Sequence, residues 1–92
     1  MRTLVIYDIS DDRIRNAVAE VCKDFGLSRI QRSAFLGLLP SGKRKDLIEK
    51  LSRVLGESAG NIQIFVICNA DLSLRTIIGI EYYEEEGADI VI

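Results

Sequence analysis

Apolar residues along the chain switch between two periods, and the switches mark the elements. Leu4, Val5, Ile6 and Tyr7 form an unbroken apolar run with no polar face, which predicts a short strand buried on both sides. Asp8 follows where that burial should end. From Ile14 the spacing lengthens to a helical one, with Ile14, Val18, Val21, Cys22 and Phe25 as the buried stripe. Ser10 or Asp11 can cap this helix, acids in its first turn suit the positive end of the dipole, and Gly26 closes it. Residues 28–39 are strand-like again, with Ile30, Ala34, Phe35, Leu36, Leu38 and Leu39 interrupted by Gln31, Arg32, Ser33 and Gly37. One long bent strand and two short strands meeting near Ser33 both fit, since a glycine inside a strand often marks a bulge or bend. After the break at Pro40, Ser41 and Gly42, the positions Leu47, Ile48, Leu51, Val54 and Leu55 predict a second helix, capped by Ser41 and stopped by Gly56. Residues 62–68 are the second strongly apolar strand, expected beside the first in the centre of the sheet. A loop over 69–74 then leads to two short terminal strands, 76–80 and 88–92, separated by an acidic run at Glu84, Glu85 and Glu86.

This order predicts an α+β sandwich of ferredoxin-like type: a four-stranded antiparallel sheet with two helices on one face, plus short C-terminal strands. The fold alone assigns no function. Residues 1–92 read as a single domain, in which 76–92 is a C-terminal extension expected to pair with a partner subunit, because a terminal apolar strand on an open edge invites aggregation. Composition strengthens that expectation. In 92 residues, 48% are hydrophobic, more apolar material than so thin a core can hide, so a homodimer is the default. The first apolar stretch is too short to span a bilayer and lacks a signal-peptide cleavage pattern, which predicts a cytoplasmic protein with no membrane contact.

The net charge of −2 hides an uneven distribution. Residues 1–55 hold eleven basic against seven acidic side chains, and 56–92 hold one against seven. The first part could hold a polyanion while the second repels it or meets a basic partner, although uneven charge can also arise without function. There is no histidine, and Cys22 and Cys68 lack metal-site spacing, so a zinc centre and a Cys-His nucleophile are both excluded within one chain; the thiols read as buried. Lys43, Arg44 and Lys45 crowd the first turn of the second helix against its dipole, which reads as a phosphate contact or as a solvated face. Tyr82 and Tyr83, set among acids, read as interface packing rather than base-stacking groups.

Tyr7-Asp8-Ile9 closing the first strand, Arg13 and Arg15 on the next helix, Gly26-Leu27, Arg29-Ile30-Gln31, and Ser33-Ala34-Phe35-Leu36-Gly37 together resemble the CRISPR-associated adaptation nuclease family. The resemblance runs from Met1 to about Ile80 and rests on the joint order of these motifs. It implies a ferredoxin-like homodimer in which Asp8 faces its twin across the two-fold axis. It also implies spacer acquisition from invader DNA, with the dimer bridging integrase subunits, and metal-dependent endonuclease activity on single-stranded RNA or duplex DNA. Ala17 stands where many members carry Lys or Arg, and Leu36 where an acid is common before the glycine.

The residues can be weighed against that chemistry directly. Without histidine, phosphodiester hydrolysis calls for a divalent metal held by carboxylates. One Asp8 is a poor cage, but two related by symmetry, completed by water and substrate oxygens, suit Mg²⁺ or another divalent cation, and the site should weaken in acid. Asp8 and Arg15 are the expected catalytic pair. The expected nucleic-acid contacts are Tyr7, Arg13, Arg29, Ser33, Phe35, Lys43, Arg44 and Lys45, with Phe35 equally well explained as core. Three other functions fit the same residues: a DNA-binding scaffold that never cuts, a related toxin-type ribonuclease, and a small-ligand regulatory domain.

Overall fold

The computed structural model describes residues 1–82. Seven elements follow in chain order: β1 (Arg2–Asp8), α1 (Asp12–Asp24), β2 (Ser28–Gln31), β3 (Ala34–Leu38), α2 (Ser41–Leu55), β4 (Asn61–Ile67) and a short α3 (Asn69–Ser73). The four strands form one antiparallel sheet in the order β2-β3-β1-β4. With α1 and α2 packed on one face, this is the ferredoxin-like arrangement.

The core lies between that face and the helices. Val5, Tyr7 and Phe35 from the sheet meet Val18, Val21 and Cys22 of α1 and Leu47 and Leu51 of α2. Each fully buried Leu or Phe contributes about 1.5–3 kcal/mol. Asp11 caps α1 by accepting from the backbone N–H groups of Arg13 and Ile14, and Gly26 follows its C-terminus at φ 83°.

Several expectations change. β1 is not covered on both sides: Thr3, Val5 and Tyr7 face the helices, while Leu4 and Ile6 point the other way, and Ile6 is 40% exposed. Two helices cover only one face of a four-stranded sheet. Residues 28–39 are two strands, with a register shift in β2 between Arg29 and Gln31. Gly37 marks no bend; a Cβ there would lie 2.9 Å from Leu27 Cδ2 and 3.2 Å from Leu27 Cα, so glycine permits a close backbone approach. Pro40, not Ser41, occupies the N-cap of α2 and offers no side-chain bond, and Ile48 is exposed rather than core. β4 does lie beside β1, but as an edge strand among the described residues. The expected loop after it contains α3, and residues 76–80 form no strand; Ile78 and Ile80 are almost wholly exposed. Tyr83, the acidic run and the expected strand 88–92 lie outside the described residues. No helix among the described residues is long and apolar enough to cross a membrane.

Candidate functional site

Asp8 ends β1 opposite Asn61 of β4 and shares the outward parity of Leu4 and Ile6, which leaves its carboxylate exposed at the sheet rim. The β2–β3 turn and the start of α1 close around it. Together they form a polar cleft lined by Asp8, Ile9, Arg15, Arg29, Arg32 and Ser33. Three guanidinium groups against one carboxylate make this cleft attractive to a polyanion.

Each cation is held differently. Arg15 Nη1 donates to the carbonyls of Ile9 at 3.2 Å and Ser10 at 3.3 Å, and its Nη2 pairs with the Asp12 carboxylate one helical turn back. Its donors grip the loop that follows Asp8. Arg29 donates from Nη1 to the Arg32 carbonyl at 3.0 Å, and its guanidinium carbon lies 4.9 Å from the centroid of the Phe35 ring. This bond and ring contact hold the β2–β3 turn beside β1, where the Tyr7 N–H also donates to the Ser33 carbonyl at 3.0 Å.

Thus Asp8, Arg15, Arg29 and Ser33 line one cleft, joined by Arg32. Tyr7 and Phe35 do not line the cleft. They are core residues, 3% and 0% exposed, with rings stacked at 6.4 Å between centroids and 18° between planes. The alternation of β1 and β3 turns both toward the helices, so they support Arg29 from beneath instead of meeting nucleic acid. Burial pushes the Tyr7 phenol above its ordinary value, while nearby Arg29 pulls it back.

Arg13 is exposed on α1 but points away from Arg15, because two residues along a helix are about 200° apart. Lys43, Arg44 and Lys45 sit at the far end of the molecule. Their helix begins just after Leu38, which pairs with Arg2, and β1 runs six residues from there to Asp8, about 20 Å at ~3.3 Å per residue. Lys43 lines a separate depression with Asp24, Phe25 and Leu38. The basic cluster therefore does not join Asp8 within one chain.

Sequence reasoning passed over Arg32, visible only as a polar residue in a strand-like stretch, and Gly60. At φ 118°, a Cβ on Gly60 would lie 2.5 Å from the Asp8 carbonyl oxygen. Among the described residues of one chain Asp8 is the sole carboxylate lining the cleft, and no three His, Cys, Asp or Glu side chains cluster, so these residues alone do not complete a Mg²⁺ site. The outer sheet face that ends at Asp8 carries Leu4, Ile6, Leu36, Leu38 and Phe65 along its length, of which Ile6, Leu38 and Phe65 are substantially exposed.

Residues 1–74 match the family described as CRISPR associated protein Cas2. The chain is 38% identical over 93 residues to a CRISPR-associated endoribonuclease Cas2 from Desulforudis audaxviator, covering 100% of this chain and 88% of that protein. A Thermoproteus tenax protein named as a fusion of CRISPR-associated endonuclease Cas1 with endonuclease Cas2 is 40% identical over 77 residues, covering 82% of this chain and 29% of that one. Among solved structures, a hypothetical protein from Thermus thermophilus superposes with a TM-score of 0.75 at 26% identity, covering 89% of this chain and 94% of the other.

Proposed function

The chain belongs to the CRISPR associated protein Cas2 family, and from that premise we propose that it works in a CRISPR system as a homodimeric, metal-dependent endoribonuclease. The observation that carries this reading is the placement of Asp8. It stands exposed on the apolar face of the sheet, at the lip of a cleft with three arginines, where a second sheet packed on that face would bring its own Asp8 near.

In this reading Asp8 of each copy would hold the divalent cation, which would supply charge neutralisation and an activated water. Arg29 and Arg32 position the sugar-phosphate backbone of single-stranded RNA, or of duplex DNA, by charge-assisted bonds to phosphate oxygens. Arg15 is the loop clamp that holds Asp8 in place, since most of its donors point at its own backbone and Asp12. Proton transfer falls to water and the carboxylates because the chain has no histidine. A role in spacer acquisition and an integrase partner of Cas1 type draw support from the Thermoproteus tenax fusion, in which the two are one polypeptide.

A second reading, a DNA-clamping scaffold that does not cut, is favoured by the commitment of Arg15 to its own loop. Incubation of wild type and Asp8→Asn with labelled single-stranded RNA and duplex DNA, with Mg²⁺ or with chelator, separates the two. The nuclease reading expects Mg²⁺-dependent cleavage that Asp8→Asn lowers about 100-fold or more. Equal cleavage by both proteins overturns it. Salt-sensitive binding by both with cleavage by neither establishes the scaffold.

A further inference from the structure

We propose that Gly60 is a positioning residue for Asp8, an inference that rests on the nuclease reading above. Gly60 immediately precedes β4, whose first residue, Asn61, pairs with Asp8 at the end of the β1–β4 ladder. Its φ of 118° lies where L side chains are strained, and its backbone is pressed onto the strand end it serves. A Cβ at Gly60 would approach the Asp8 carbonyl oxygen to 2.5 Å and the Ile9 Cα and Cγ1 atoms to 3.2 Å each. Backbone atoms cannot swing aside as a flexible side chain does, so any L residue other than glycine must push the Asp8–Ile9 peptide outward.

The next two peptides are held by Arg15, which donates to the carbonyls of Ile9 and Ser10. The turn that follows Asp8 is therefore held at successive points, by a side chain six residues downstream of Ile9 and by a backbone 52 residues downstream of Asp8. The Asp8 side chain is exposed at the strand end, so its direction is inherited from this backbone. A carboxylate that must meet a symmetry mate across a shared cation tolerates little displacement, because a shift in one copy is doubled in the pair.

The test compares three proteins with wild type. Gly60→Ala adds the clash and the strain. Gly26→Ala adds comparable strain, at φ 83°, where nothing lies within 4 Å of the added Cβ. The third carries D-alanine at position 60, by ligation at Cys22 and Cys68; D-alanine accepts positive φ and turns its methyl away from the Asp8 carbonyl. Positioning predicts that Gly60→Ala lowers kcat for single-stranded RNA about tenfold or more with KM within about twofold, while Gly26→Ala and the D-alanine protein stay within about twofold of wild type. Unchanged kcat in Gly60→Ala, or an equal loss in Gly26→Ala, overturns the proposal. NMR supplies the arm that does not need cleavage: the Asp8 carboxyl carbon and the Ile9 amide resonances shift in Gly60→Ala and return toward wild type with D-alanine. Unmoved resonances overturn the positioning role even where wild type proves not to cut, whereas shifted resonances in a protein without cleavage uphold it and reject the nuclease reading alone.

Discussion

Cys22 is fully enclosed between α1 and the sheet, and desolvation pushes its thiol up to about 12 against the opposing pull of Arg29. The thiolate is the reactive form, so alkylation of the native protein near pH 8 should label half-buried Cys68 and spare Cys22, as peptide mass mapping would read. The raised value also sets a sign for stability. The folded state holds this proton more tightly than the unfolded chain, so the contribution is complete below about pH 9 and is lost as pH climbs toward 12. Urea midpoints from pH 8 to 11 should fall less steeply in Cys22→Ala than in wild type, with a residual slope from Tyr7, which shifts the same way. Equal slopes would contradict this account. Asp8 is legible at this scale because an acid ending an apolar strand is conspicuous. Its neighbour Tyr7 is not, since inward and outward positions are assigned only when Val5 is registered against Phe35 and Ile64. Gly60 is illegible for a related reason: its role depends on a contact 52 positions away.

Helix α2 shows what an element gives up by starting with cations. Pro40 supplies no capping side chain, and no acid sits in the first turn. Replacing Lys43 and Lys45 by Glu should stabilise the fold by about 0.3–1 kcal/mol each at low salt, measured by thermal melting. Because this turn lies at the opposite end of β1 from Asp8, the double variant should also retain cleavage of a short RNA within about twofold; a large loss would place the basic cluster in the reaction. Between α1 and β2, Leu27 presses against Gly37, so Gly37→Ala should cost about 1–3 kcal/mol by overpacking, seen as a lower urea midpoint. The two helices and the existence of β1 and β4 are readable from period alone, but which faces and edges are covered is not: β4 reads as central and lies at the edge among the described residues. A further miss is residues 76–80, where isoleucines mimic a strand but find no ladder among the described residues, since strand propensity expresses itself only against a partner edge.

For the whole molecule, the excess of apolar residues in the composition has a location. The helices bury one face of the sheet, and the other, on which Asp8 also lies, keeps Ile6, Phe65 and, at the far end of β1, Leu38 open. A homodimer formed there would explain why one chain carries a single cleft carboxylate. Ile6→Lys should then shift sedimentation to a monomer, preserve far-ultraviolet circular dichroism, and abolish cleavage together with the dimer. Composition predicts that such a surface exists, but only the pairing of β1 with β3 and β4 places it on the same side as Asp8. The most direct measurement is a cross-link: Asp8→Cys in a chain with Cys22→Ala and Cys68→Ser, treated with a short bis-maleimide and run on a denaturing gel. The account predicts efficient conversion to a covalent dimer that Ile6→Lys prevents. A protein that sediments as a dimer yet forms no cross-link through position 8, or one that stays monomeric, would contradict it.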